Sequence, residues 1–199
     1  MRPLEKYLTK AGFEVHNLRY ASTEKSPEGL VEDLSDQVAA CCEDASALHF
    51  VGHSLGGILI RAYLAKHPSE KAGRVVMIAP PNQGSELVDV LGDSTLFRWA
   101  LGPTGQQLGT EPESLPNRLP PPTVEIGVIA GTGTVSPLAS AIIPGEDDGK
   151  VAVARTKLEG MTDYLLVPNS HTFIMRSKKV GAQVVRFLRT GRFLHEVPE

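Results

Sequence analysis

Phe50-Val51-Gly52-His53-Ser54-Leu55-Gly56-Gly57 is the stretch on which the reading of this chain turns. It contains G-x-S-x-G, a pattern that composition alone would supply in roughly one chain of this length in ten. Its surroundings make it specific. The run Ala47 to Val51 before it reads as a short buried strand, and Leu55 to Lys66 after it reads as a helix stopped at His67-Pro68. A serine on a sharp strand-to-helix turn needs neighbours without side chains, and Gly52 and Gly56 supply them. Such a turn lifts the Ser54 hydroxyl off the sheet edge. It also sets the backbone N–H of Leu55 at a helix N-terminus, where developing negative charge is stabilised.

Outward from that turn, short β-rich runs alternate with helical patterns, the signature of a mostly parallel sheet between two helical layers, an α/β/α sandwich. Upstream, Leu4 to Ala11 reads as the end of a helix stopped at Gly12, and Phe13 to Tyr20 as a strand of mixed polarity. Ser26-Pro27 opens a helix with a serine cap and proline in the first turn, and Leu30, Leu34, Val38 and Cys41 share one face. Downstream, Arg74 to Ala79 is almost wholly apolar, as in a strand covered on both faces. Ser85 to Leu91 and Leu96 to Leu101 read as short helices, Gly102 to Pro122 as loop, Val124 to Ala130 and Tyr164 to Val167 as strands, and Lys178 to Leu188 as a closing helix. With no repeat and no long linker, residues 1–199 read as one domain with a short cap or loop insertion at about 92–122.

Composition excludes several classes. At 41% hydrophobic and 22% charged the chain is ordinary globular material. No run approaches the roughly 18 to 20 apolar residues of a transmembrane helix, and the first residues show no secretory h-region. A net charge of −3 gives no field to draw nucleic acid. The two cysteines, Cys41 and Cys42, are adjacent, cannot bridge distant segments, and read as packing thiols of a reduced, cytoplasmic compartment.

A serine hydroxyl is a poor nucleophile until a base takes its proton, and that base needs a carboxylate to orient it. Of six histidines, His171 in Pro168-Asn169-Ser170-His171 stands just past the last strand, at the carboxyl edge of the sheet where sites of open α/β sheets gather. His53 adjoins Ser54 and reads as a packing residue; His16 and His49 read as strand residues, His67 as a helix end and His195 as tail. For the acid, Gly145-Glu146-Asp147-Asp148-Gly149 lies between elbow and histidine, giving the order Ser, Asp, His. Asp148 is the choice, Asp147 the rival, and Asp163 third.

On FVGHSLGG, the following IAPPNQGSELVD, the acid loop EDDGKVAV and VPNSHTFIM around the histidine, the chain resembles an α/β-hydrolase of the bacterial lipase and esterase group. The resemblance covers nearly the whole chain. It implies a catalytic triad of Ser54, Asp148 and His171 with Leu55 as oxyanion donor. It implies hydrolysis of short- to medium-chain carboxylic esters through an acyl-enzyme, on a small-molecule or lipid ester, with no metal and no organic cofactor. Pro80 to Ser85 would line the pocket floor or hold the neighbouring loop, and Leu96, Phe97, Trp99 and Leu101 would contact an acyl chain or pack their own helix. Acyl transfer, or thioesters or amides as substrates, would use the same triad.

The chain departs from that group in one respect. Its relatives place a strand ending in His-Gly before the helix that corresponds to Pro3 to Ala11, and that turn gives the second oxyanion N–H. Three explanations stand open: a longer protein in which Met1 is internal, direct pairing of the Phe13–Tyr20 strand with the elbow strand, or a homo-oligomer in which a partner chain fills the gap. A non-catalytic α/β-hydrolase-like protein is the corresponding reading of function. Gly131-Thr132-Gly133 follows a strand, but Ser136 stands where a dinucleotide fingerprint needs glycine. No Cys/His spacing suggests zinc.

Overall fold

The structure, a computed structural model, describes residues 1–94 and 101–195. Its frame is a four-stranded parallel sheet of β1 (Leu48–His53), β2 (Ala72–Ile78), β3 (Ile126–Gly131) and β4 (Asp163–Val167), with the strands neighbouring one another in chain order. Consecutive parallel strands need crossovers, and each of the three connections contains at least one helix. α3 (Leu55–Lys66) joins β1 to β2. The long β2–β3 connection contains α4 (Glu86–Leu91), a helical stretch at 101–105 and α5 (Leu115–Arg118). α6 (Pro137–Ser140) and α7 (Val153–Thr156) lie between β3 and β4, and α8 (Lys178–Thr190) follows a 3₁₀ turn at Ile174–Arg176.

Alternation along β2 explains its apolar run from Val75 to Ile78. Val75 and Met77 face a core shared with α3 and with α2 (Pro27–Cys42) through Leu30, Val31, Ile58 and Leu59. Val76 and Ile78 face the opposite core, formed with α1 (Arg2–Lys10) and with α8 through Leu4, Val180, Val184 and Phe187. With period-2 side chains, a strand buried on both faces leaves no polar position. α2 begins as expected, with Pro27 in the first turn and Ser26 Oγ accepting from the Gly29 N–H at 3.3 Å. α8 is capped the same way by Ser177 and stops at Gly191, whose φ of 74° lies in the left-handed region.

Three expectations change. Phe13 to Tyr20 forms no strand, so His16 is not a strand residue and direct pairing with β1 does not occur. Without a ladder, Arg19 satisfies its backbone on the Gln37 side chain of α2, donating to Oε1 at 3.1 Å and accepting from Nε2 at 3.0 Å. Among the described residues nothing pairs with the outer edge of β1. That edge instead borders a cavity of about 900 Å³ lined by Val15, Leu18, Leu34, Phe50 and Val51 among others. Gly102 to Pro122 is not all loop: Leu108 and Leu115 are buried in the α2–α3 core. Cys41 and Cys42 are a vicinal disulfide, not two packing thiols. No helix among the described residues is long and apolar enough to cross a membrane.

Candidate active site

Ser54 occupies the single residue between β1 and α3, at φ 53° and ψ −125°. That left-handed φ costs a non-glycine residue on the order of 1–3 kcal/mol, and the surrounding backbone holds it there. Ser54 donates its N–H to the Ile78 carbonyl at 2.9 Å, and its own carbonyl accepts from Gly57 at 2.9 Å. The turn is so tight that a Cβ at Gly52 would fall 2.6 Å from the Gly56 carbonyl carbon and the Gly57 nitrogen. Any other residue at 52 would force α3 off the strand. As the first residue of α3, Leu55 has an N–H with no intrahelical acceptor.

His171 enters from the turn after β4, which crosses close to the end of β3. A Cβ at Gly131 would meet the Asn169 carbonyl oxygen at 2.3 Å. The imidazole is 4% exposed, with Nε2 2.9 Å from Ser54 Oγ and Nδ1 2.7 Å from Asp148 Oδ2. A carboxylate only accepts, so Nδ1 carries the ring proton and Nε2 is left to accept from the serine hydroxyl. Asp148 is 1% exposed. Its Oδ1 accepts from the Lys150 and Val151 N–H groups at 3.0 and 2.9 Å, and its carbonyl accepts the His171 N–H at 2.8 Å. Asp147 turns away, with Oδ1 accepting from Ser140 Oγ at 2.7 Å and from the Gly149 N–H at 2.6 Å. Asp163 binds the tail through the Phe193 N–H and the His195 ring.

His53 does more than fill space. Its Nε2 donates to the His171 carbonyl at 3.0 Å, and the two rings lie 4.8 Å apart. Burial, and then the facing His171 ring, push its pKa down to about 4. It is therefore neutral at ordinary pH and adds no positive charge beside the base.

Pro80 to Ser85 holds the acid loop. Ser85 Oγ donates to the Lys150 carbonyl at 2.8 Å, and Asn82 Nδ2 to the Thr156 carbonyl at 2.8 Å. Asn82 Oδ1 accepts in turn from Arg61 Nη1 at 3.2 Å, and Arg61 Nη2 donates to the Leu119 carbonyl at 3.3 Å. Arg61 is buried, which lowers its pKa to about 10 and leaves it a cation. The sequence reading passed over it. Its spacing was the available signal, since four residues after Gly57 and three before Leu64 it falls on the inward face of α3. Of the four residues expected to touch an acyl chain, Leu101 is half-buried at the start of the 101–105 helical stretch. Leu96, Phe97 and Trp99 lie outside the described residues.

The family model for palmitoyl protein thioesterase matches residues 1–108, just over half of the 199. The chain belongs to the palmitoyl protein thioesterase family. No curated protein matches it closely enough in sequence to count as a relative. Solved structures do match in fold. The phospholipase PlaB from Legionella pneumophila superposes with a TM-score of 0.71 at 16% identity, over 95% of this chain and 56% of that one. The metagenomic carboxyl esterase MGS0156 gives 0.67 at 20%, over 86% and 58%. The mature Bacillus licheniformis lipase BlEst2 gives 0.64 at 17%, over 84% and 75%. The fold is thus that of α/β-hydrolases, and the chain spans less than two thirds of two of these three. Family and fold together support a hydrolase of ester bonds.

Proposed function

We propose that the chain is a serine hydrolase that cleaves carboxylic esters through an acyl-enzyme. The observation that carries this reading is the unbroken hydrogen-bonded chain from Ser54 Oγ through both nitrogens of His171 to the buried Asp148 carboxylate. In the first half-reaction Ser54 Oγ bonds to the ester carbonyl carbon while its proton passes to His171 Nε2. Asp148 stabilises the imidazolium without taking its proton. The carbonyl oxygen becomes an oxyanion facing the Leu55 N–H. Its collapse breaks the bond to the alcohol oxygen, which leaves with the proton from Nε2. Water repeats the sequence on the acyl-serine, giving the carboxylic acid and restoring Ser54. Leu55 supplies one oxyanion donor, and a missing second donor costs about 100- to 1,000-fold in turnover. Modest rates are expected unless a second N–H is supplied. Leu96, Phe97, Trp99 and Leu101 are the proposed contacts for the acyl chain.

The test is a p-nitrophenyl ester series of increasing chain length, with Ser54→Ala as control and a fluorophosphonate to label the serine. Hydrolysis and labelling that both vanish in the control support the reading. Equal rates in wild type and Ser54→Ala would sink it. A labelled but nearly inactive wild type would point to the weakly active alternative. The family match favours a second reading, in which the acyl donor is a thioester. Attack by Ser54 is unchanged and a thiol leaves instead of an alcohol. A higher kcat/KM for an acyl thioester than for the oxygen ester of equal chain length would support that reading.

A further inference from the structure

The vicinal disulfide has no obvious tethering role. Cross-links stabilise by closing a loop of unfolded chain, and adjacent residues enclose none. What distinguishes the pair is its company. Among the described residues, one group of three side chains has a metal-binding disposition: His16, Cys41 and Cys42, whose ligand atoms all lie within 4.8 Å of one another. Twenty-five positions separate His16 from Cys41, so no local spacing motif announces the group. The fold assembles it because the unpaired segment after Gly12 crosses the C-terminal end of α2, of which Cys42 is the last residue. His16 is exposed and both cysteines are half-buried, at the rim of the cavity beside β1.

We propose that the Cys41–Cys42 pair is a redox gate on a binding site for one thiophilic divalent cation of the zinc class, with His16, Cys41 and Cys42 as protein ligands. A dithiol reductant opens the gate. One of its thiolates attacks a cysteine sulfur and the S–S bond breaks. Its second thiol then resolves the mixed disulfide. Two electrons and two protons have passed to Cys41 and Cys42, and the reductant leaves as its own disulfide. The cation then forms two metal–sulfur bonds, displacing both thiol protons, and a third bond to the lone pair of the neutral His16 ring. Water completes the tetrahedron.

Metal–sulfur bonds of about 2.3 Å and metal–nitrogen bonds of about 2.0 Å place tetrahedral ligands roughly 3.5–3.8 Å apart. The His16 ring already lies within 4.8 Å of both sulfurs, which are bonded to each other here and are free to part once reduced. Two thiolates and an imidazole suit zinc, cobalt or other soft and borderline ions and discriminate against calcium and magnesium. Glu14 lies beside the ring, its Oε1 accepting from His16 Nε2 at 3.1 Å, the kind of carboxylate contact that orients a ligating imidazole. In the oxidised state both sulfurs are committed to each other and the site has no thiolate to offer.

The full chain would be reduced with a phosphine, held free of oxygen and titrated with Co²⁺, then back-titrated with Zn²⁺. The expected result is a thiolate-to-cobalt charge-transfer band saturating at one ion per chain and bleached by Zn²⁺. The band should be absent in the untreated disulfide form, which serves as a control without any substitution. It should also be lost in Cys41→Ser and in Cys42→Ser. His16→Gln should keep the band but weaken binding by about 10- to 100-fold. No band in the reduced wild type would overturn the proposal. So would a disulfide form that binds Co²⁺ equally well, or a His16→Gln variant of unchanged affinity.

Discussion

The two flanks of β1 are built differently. Towards β2 the strand is locked in a parallel ladder that continues through β3 to β4, between two cores whose central residues are fully buried. All three members of the serine–histidine–aspartate chain stand at the carboxyl ends of that stack or in the loops beyond it. On the other flank no described strand pairs with β1, and Phe13 to Tyr20 passes it across a cavity of about 900 Å³. The contrast places the hydrogen-bonded chain from Ser54 to Asp148 on the laddered side of β1 and the loops beyond it, with no described strand on the other side. A site of this kind can look complete in its side chains while one side of its supporting strand lacks a ladder.

The sharpest test of that contrast is Ser54→Ala. If the stacked flank carries the chemistry, ester hydrolysis falls by roughly 10⁴-fold or more while circular dichroism is unchanged. Residual activity near wild type would place the reaction elsewhere. Next comes the acid. Asp148→Asn is expected to cost about 10⁴-fold in kcat, because the amide removes the carboxylate that fixes the His171 tautomer. Asp147→Asn, which disturbs only Ser140 and Gly149, should cost far less, and the reverse order would move the acid to the neighbouring residue.

Stability probes the two flanks directly. Ile129→Ala, in the fully buried middle of β3, should lower the unfolding free energy by about 2–5 kcal/mol in urea titration. Val15→Ala, half-buried beside the cavity, should lower it by about 1 kcal/mol or less. Comparable losses would mean that the open flank is packed as tightly as the closed one. The remaining test concerns pH. His53 titrates at about 4 when folded and near 6.5 when unfolded, so between those values unfolding takes up a proton and acid favours the unfolded chain. Its contribution is complete above pH 6.5 and gone below about 4, with a full extent of about 3 kcal/mol. In His53→Gln the urea midpoint should fall less steeply over that window, and an unchanged slope would remove His53 as the cause.

Much of the stacked flank is readable from sequence. Arg74 to Ala79 announces a doubly covered strand because neither face can hold a polar residue, and α3 has the bounds its proline stop implies. Chain order singles out Asp148 and His171 as candidates, but not the peptide hydrogen bond that joins their loops. The gap beside β1 follows from the resemblance, but the failure of Phe13 to Tyr20 to form a strand is not legible. Phe13 to Tyr20 has the residues of a strand, but strand formation depends on a partner, and none stands beside it. The four-residue helices α6 and α7 are too short to show a helical period. His16 with Cys41 and Cys42 escaped for the opposite reason: local patterns see neighbours in sequence, and this group meets only in space.

One feature reaches further than the chemistry it serves. The acid and base loops are joined by a main-chain bond from the His171 N–H to the Asp148 carbonyl at 2.8 Å, and the acid loop closes on itself through the Asp148 N–H and the Val151 carbonyl at 3.2 Å. Peptide groups are common to all residues, so these bonds survive exchange of either side chain. The scaffold therefore separates holding from reacting. The relative placement of the two loops is thus fixed in part by backbone geometry, independently of the side chains that the proposed reaction uses.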